Sequence, residues 1–123
     1  MDYSEILSRF QDRSGIKNEV EAVRIITAFI EILSERLDPA LSKDLANELP
    51  FELKDIARSS NRAEEFSLEE FYTRMSIRAD IPRDRIISDA NDVMLVLEEA
   101  LNPGDVQKIV EYLPGEYLVL FSE

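Results

Sequence analysis

The stretch LDPALSKDLANELP at residues 37–50 returns in the second half of the chain as LNPGDVQKIVEYLP at residues 101–114. In both copies a leucine and an Asp or Asn precede the first proline, and a Leu-Pro pair ends the stretch. An Asp or Asn caps a helix start, and a proline fits the first helical position because its missing N–H has no partner there. The repeated stretch predicts one helical unit that the chain contains twice.

On both sides of these two stretches the patterning is helical. Apolar residues recur with a period near 3.6, and the chain contains only three glycines. Asn18 with Glu21, and Ser67 with Glu70, have the spacing of helix-starting capping boxes. The second predicted helix, which starts at Asn18 and runs to about Leu37, is so apolar that it is predicted to be central and mostly buried. Pro114 is predicted to begin the last helix.

The two halves align along their whole length with a single shift of register. Up to Ile16, the two halves align in the register that pairs Ile16 with Ile81. From Ala22 onward, they align in a second register, which pairs Leu37 with Leu101. Each unit alone exposes an apolar face that packing against its copy would bury. We therefore predict an all-α fold: a compact bundle of about eight short helices built from two pseudo-twofold-related repeats. Residues 1–123 form a single domain, with repeat 1 at about 3–57, a linker at about 58–66 and repeat 2 at about 67–121.

The composition excludes several classes of function. The formal net charge is −12, which disfavours nucleic acid and anionic membrane as partners. The chain contains no cysteine and no histidine, so thiolate chemistry, His-based triads and His-based metal sites are excluded. No apolar run is long enough for a membrane span or a signal peptide. A cytoplasmic protein is predicted, with no cofactor.

One family shows the same motifs. Residues 66–74, FSLEEFYTR, and residues 113–121, LPGEYLVLF, closely resemble the prokaryotic domain-of-unknown-function family 2267. Residues 6–10, ILSRF, and the first proline-bounded stretch resemble the family's opening unit. The resemblance covers nearly the whole chain and departs from the family pattern at Met75-Ser76. It implies a compact all-helical prokaryotic domain and brings no activity, substrate or catalytic residue.

Two arginines occupy corresponding positions in the halves. Arg9 follows Glu5 by one helical turn, and Arg74 follows Glu70 in the same way. This spacing favours ion pairs on a helix surface. The alternative is a pair of related anion-binding sites at Arg9 and Arg74.

The halves also differ in informative places. Three apolar positions of the first half are aspartates in the second, namely Asp89, Asp92 and Asp105. Oxygen ligands suit Mg²⁺ or Ca²⁺, so these three are the candidate metal ligands. An acidic helix face that is simply solvated is the alternative.

In the reverse direction, charged positions of the first half become apolar in the second. Some of these residues, with nearby aromatic ones, could form an exposed patch for a protein partner or a homodimer. Burial in the core is the alternative. The candidate interface residues are Ile77, Leu95, Tyr112, Leu118 and Phe121.

These observations favour a non-enzymatic protein-interaction or regulatory module over an enzyme. The alternative is a domain that binds a small ligand or a divalent metal through the acidic face of the second repeat. Stabilisation by a ligand would favour the alternative, and a stoichiometric protein partner would favour the first.

Overall fold

The computed structural model describes residues 1–58 and 63–123, and these residues form helices without any strand. The predicted all-α fold of about eight short helices is confirmed. The final helix is a 3₁₀ helix, and the seven before it are α-helices. Their bounds are α1 Tyr3–Ser14, α2 Glu19–Arg36, α3 Pro39–Glu48, α4 Phe51–Arg58, α5 Leu68–Ala79, α6 Arg83–Ala100, α7 Pro103–Tyr112 and the 3₁₀ helix Gly115–Phe121.

Local hydrogen bonds set the helix starts. The Asn18 side chain accepts from the backbone N–H of Glu21 at 2.9 Å, and the Ser67 hydroxyl accepts from that of Glu70 at 3.1 Å. Asp38 caps α3 in the same way, through the N–H of Leu41 at 2.8 Å. Each bond satisfies a donor that the first turn of a helix leaves without an internal partner. The predicted caps are therefore present.

The helix bounds follow the two registers of the sequence alignment. Helices α1 and α5 correspond in the register that pairs Ile16 with Ile81, and the three later pairs of helices correspond in the register that pairs Leu37 with Leu101. Helix α1 of the first half packs on α6 of the second half, and the corresponding helix α5 of the second half packs on α2 of the first. Glu21 and Arg85 occupy corresponding positions in the sequence alignment of the halves, and their side chains form an ion pair at 2.6 Å. Of the predicted linker at about 58–66, residues 59–62 lie outside the described residues.

The last helix differs in type from α4, the helix that corresponds to it in the first half. It is a 3₁₀ helix, with three residues per turn. Its buried residues Tyr117 and Leu120 are three apart, so a three-residue turn directs both toward the core. In α4 the buried residues Leu53 and Ala57 are four apart, which suits an α-helix. The 3₁₀ helix rises about 2.0 Å per residue rather than about 1.5 Å, so the C-terminal segment reaches further along its neighbour.

The core lies between the halves and contains a cluster of aromatic rings. Phe71 of α5 lies 5.3 Å from the ring of Phe29 and 6.0 Å from that of Tyr117, both in edge-to-face geometry. Helix α2 is largely buried, as predicted, but one of its faces remains partly exposed. No helix among the described residues is long and apolar enough to cross a membrane.

Candidate interaction surface

The two predicted anion-binding arginines are already bound to carboxylates. Arg74 donates to Glu70 at 2.9 Å, to Glu64 at 2.7 Å and to Glu35 at 3.0 Å. Burial lowers the pKa of Arg74, but hydrogen bonds to these carboxylates raise it overall. The guanidinium is therefore held as part of a network.

Arg9 is paired in the same manner as Arg74. It lies 3.9 Å from Glu5 within α1 and forms an ion pair with Glu99 of α6. The Arg9–Glu99 and Arg74–Glu35 pairs occupy equivalent positions, and each joins one half to the other. An external anion would have to displace these carboxylates. The geometry argues for the ion-pair interpretation and gives the anion-binding alternative no support.

The three predicted metal ligands do not form a metal site. Residues 1–58 and 63–123 contain no group of three or more Asp, Glu, His or Cys side chains that could hold a metal ion. Each aspartate instead has a cationic neighbour: Asp89 lies 3.4 Å from Arg85, Asp92 lies 3.9 Å from Arg13, and Asp105 lies 3.7 Å from Lys108. Asp105 lies on α7, whereas the other two lie on α6. This arrangement gives the metal-site hypothesis no support.

Asp89 is a buried carboxylate at a position where the first repeat has buried Ile25. Burial raises the pKa of Asp89, the charge of Arg85 and its hydrogen bond lower it, and Glu21 raises it, with a net increase. The Asp89 carboxyl therefore binds a proton more tightly in the folded chain than in the unfolded chain. The stability that protonation supplies is complete below the ordinary pKa of about 3.9 and is lost as the pH rises through the higher folded-state value.

We expect Asp89→Asn to raise the melting temperature at pH 7 by a few degrees, on the order of 3 °C. The gain should shrink on acidification and vanish near pH 3, because the wild-type carboxyl is then neutral as well. Thermal melts at pH 3, 5 and 7 measure this, with Asp55→Asn on the exposed face of α4 as the matched control. A lower melting temperature at pH 7 would mean that the ion pair with Arg85 outweighs the cost of burial.

The predicted interface residues lie in different environments. Leu95 is buried, with 5% of its surface exposed. It is flanked on α6 by buried residues on both sides, so it cannot contribute to a surface patch. Tyr112 and Phe121 are partly buried and pack against the core. Ile77, 74% exposed, and Leu118, just over half exposed, remain on the surface.

A groove that was not predicted from the sequence runs along α2 and is here called the α2 groove. Two adjoining clefts of about 330 and 320 Å³ share Val23 and Arg24 as lining residues. Val20 lines one end and is 67% exposed. The signal in the sequence is Val20, Val23 and Thr27, spaced i, i+3, i+7 on one face, which the overall apolar character of the helix concealed. The other lining residues are Glu19, Ala28, Glu31 and, from α5, Arg78.

A second groove, the α6 groove, occupies the equivalent place in the other half. It has a volume of about 310 Å³ and lies between α6 and the C-terminal segment, residues 118–123. This segment contributes Val119, Ser122 and Glu123 to the walls of the groove. The α6 residues that line it are Ile87, Ser88 and Asn91.

The two grooves correspond residue by residue along their helices. In the register that pairs Leu37 with Leu101, the α2 residues Val23, Arg24 and Thr27 match the α6 residues Ile87, Ser88 and Asn91. The grooves differ in what lines them. Within residues 1–58 and 63–123, only side chains of α2 and Arg78 line the α2 groove, whereas the C-terminal segment forms one wall of the α6 groove. Both grooves are open to solvent, since Val20 is 67% exposed in the first and Ile87 is 54% exposed in the second.

The fold and this surface define an all-α helical-bundle protein with an open groove on a central helix. The chain belongs to the family of uncharacterised conserved proteins DUF2267, whose sequence pattern matches residues 3–120. The resemblance found in the sequence is therefore confirmed. Comparison with curated protein sequences gave no match.

Proposed function

We propose that this protein is a non-enzymatic interaction module that holds a partner protein in the α2 groove. The observation that carries the proposal is the α2 groove itself, a concave surface on a central helix in which Val20 stays 67% exposed. Exposed apolar residues in a concave surface favour protein–protein contact. Val20 and Val23 supply that apolar surface, and Arg24 supplies polar donors beside it.

Charge and composition support a cytoplasmic setting for this role. A chain without cysteine needs no oxidising compartment, and a net charge of −12 keeps a small protein soluble. The same charge opposes binding to nucleic acid, because phosphate contacts need unpaired Lys and Arg. Six arginines form ion pairs with carboxylates of the protein: Arg9, Arg13, Arg74, Arg78, Arg83 and Arg85.

The proposal predicts that a charge in the groove abolishes partner binding. We expect the immobilised wild-type chain to capture a stoichiometric partner from lysate of its source organism, and Val20→Glu to capture at least about tenfold less. Val20 is well exposed, so this variant should retain the wild-type melting temperature. Quantitative mass spectrometry of the captured proteins measures the ratio.

Phe51→Ser is the matched control. Phe51 is 84% exposed on α4 and does not line the α2 groove. Its replacement removes more exposed apolar surface than the Val20 variant does, yet it should leave the captured partner unchanged. Equal capture by all three proteins, or no stoichiometric partner for any of them, would refute the proposal.

A further inference from the structure

Two carboxyl groups face each other where α3 of the first half packs on α7 of the second. They belong to Glu48 and Asp105 and are here called the carboxyl pair. We propose that the carboxyl pair is a proton-dependent link between the halves: protonated Glu48 donates a hydrogen bond to the Asp105 carboxylate, and ionisation of Glu48 breaks that bond. This device is independent of the α2 groove and goes beyond the proposed function.

The Glu48 carboxyl extends from the end of α3 to the start of α7. Its Oε1 accepts from the backbone N–H of Asn102 at 2.5 Å. Its Oε2 is fully buried, and no N–H group or hydroxyl of residues 1–58 and 63–123 donates to it. The Asp105 carboxyl lies within hydrogen-bonding reach of Glu48. Two carboxylates in contact only accept and repel each other, whereas a protonated Glu48 has an O–H group to donate.

Glu48 takes a position that a residue of α7 itself normally fills. Asn102 caps α7, and Asp105 follows three residues later, which is the spacing of a capping box. In a capping box the later side chain accepts from the backbone N–H of the cap, but here Glu48 accepts from it. The start of α7 is therefore completed by a residue of the other half. In the alignment of the halves the corresponding residues are Leu41 and Tyr112, so the carboxyl pair occurs only once.

The helix ends decide which carboxyl carries the proton. Glu48 is the last residue of α3, where the helix dipole disfavours a negative charge. Asp105 lies in the first turn of α7, where the dipole favours one. The ammonium group of Lys108, 3.7 Å away on α7, also stabilises the charge of Asp105. Glu48 is therefore the donor and Asp105 the acceptor.

The surroundings of Glu48 favour its neutral form. Burial and the hydrogen bond with Asp105 raise the pKa of Glu48, the bond from Asn102 lowers it, and the negative charges of Asp105 and Asp44 raise it, with a net increase. The stability that the proton supplies is complete below the ordinary pKa of about 4.3. It is lost as the pH rises through the higher folded-state value.

The other helices that pack on α3 do not neutralise Glu48. Within the described part of the chain, neither α2 nor α4 forms an ion pair with it. Arg58 of α4 donates instead to the side chain of Asn47, at 3.2 Å. Helix α2 meets α3 through the carbonyl of Ser34, which accepts from the hydroxyl of Ser42 at 2.9 Å. A proton is therefore what relieves the repulsion within the carboxyl pair.

The first test follows the titration of Glu48 by ¹³C NMR of its side-chain carboxyl in the full chain. We expect a midpoint above about 4.3 in the wild type. Asp105→Asn should lower the midpoint by about one pH unit or more, because it removes a negative charge and supplies an amide donor to ionised Glu48. Asp84→Asn is the matched control, since Asp84 also lies in the first turn of a helix, about 24 Å along α6 from the end that precedes α7. A wild-type midpoint at or below about 4.3, or no response to Asp105→Asn, would overturn the proposal.

The second test asks whether the proton links the helices. The protection of the Asn102 amide against hydrogen exchange should fall at least about threefold between about pH 5 and about pH 8 in the wild type. In Glu48→Gln it should stay constant, because the new amide donates to Asp105 and its carbonyl accepts from Asn102 at every pH. Glu52→Gln, at an exposed position of α4, is the control and should behave as the wild type does. Protection that is independent of pH in the wild type, or that falls equally in Glu48→Gln, would show that ionisation leaves the link intact and would overturn the proposal.

Discussion

Replacing Phe71 by alanine is expected to lower the free energy of unfolding by about 4 kcal/mol. Phe71 is fully buried on α5 and contacts three aromatic rings, those of Phe29, Phe66 and Tyr117, at centroid distances of 5.3, 6.5 and 6.0 Å. These rings belong to α2, to the segment before α5 and to the C-terminal 3₁₀ helix. Truncation would leave a cavity where the two halves join, and edge-to-face contacts would be lost as well.

Urea denaturation followed by circular dichroism measures the loss. A domain of this size has a total stability of about 5–15 kcal/mol, so the variant should be close to the limit of folding. Phe51→Ala is the matched control because it removes the same side chain from an exposed position on α4. It should change the stability by less than about 0.5 kcal/mol. Similar losses for the two variants would contradict the placement of Phe71 at the centre of the core.

Replacing Arg36 by alanine is expected to destabilise the fold by about 3 kcal/mol. Arg36 is only 5% exposed, and its guanidinium lies 5.5 Å from the ring centre of Tyr117 and 5.9 Å from those of Phe66 and Tyr112. Its Nε donates to the backbone carbonyl of Phe66 at 2.9 Å. Desolvated cation–π contacts are stronger than exposed ones, and the aliphatic stem fills space beside the rings.

The same unfolding assay tests this prediction, with Arg9→Ala as the control. Arg9 is an exposed arginine whose ion pairs lie on the surface, so its loss should cost less than about 1 kcal/mol. Arg36→Lys should also destabilise, because an ammonium group lacks the planar face that stacks on aromatic rings. If Arg36→Ala lowered the free energy of unfolding as little as Arg9→Ala does, the contacts of the guanidinium with the aromatic rings would not stabilise the fold.

Phe71 and Arg36 both contact Tyr117 of the C-terminal 3₁₀ helix. The hydroxyl of Tyr117 donates to the carbonyl of Phe66 at 2.7 Å. Tyr117 and Leu120 anchor the 3₁₀ helix whose end lies on the α6 groove. The position of the C-terminal wall of that groove therefore depends on packing at the centre of the molecule.

Much of the candidate surface could not be predicted from the sequence. Ile77 and Leu95 both replace charged residues of the first half, yet one is exposed and the other buried. Periodicity places a residue on a helix face but does not say which helix covers that face. The same limit concealed Val20 and Val23 within an apolar helix. The sequence alone shows that the halves differ at Asp89, but only the tertiary structure shows that Asp89 forms an ion pair with Arg85.

The helical class, the helix starts and the correspondence between halves all follow from the amino-acid sequence alone. Caps such as Asp38 and breaks such as Pro50 act through bonds between near neighbours in the chain, so their residue types are sufficient signals. Tertiary packing determines three further features: which arginines form ion pairs across the halves, that the last helix is 3₁₀, and that the C-terminal segment forms a wall of the α6 groove. These features depend on contacts between residues far apart in the chain, such as Asn91 with Leu120 and Arg9 with Glu99, which local patterns do not encode.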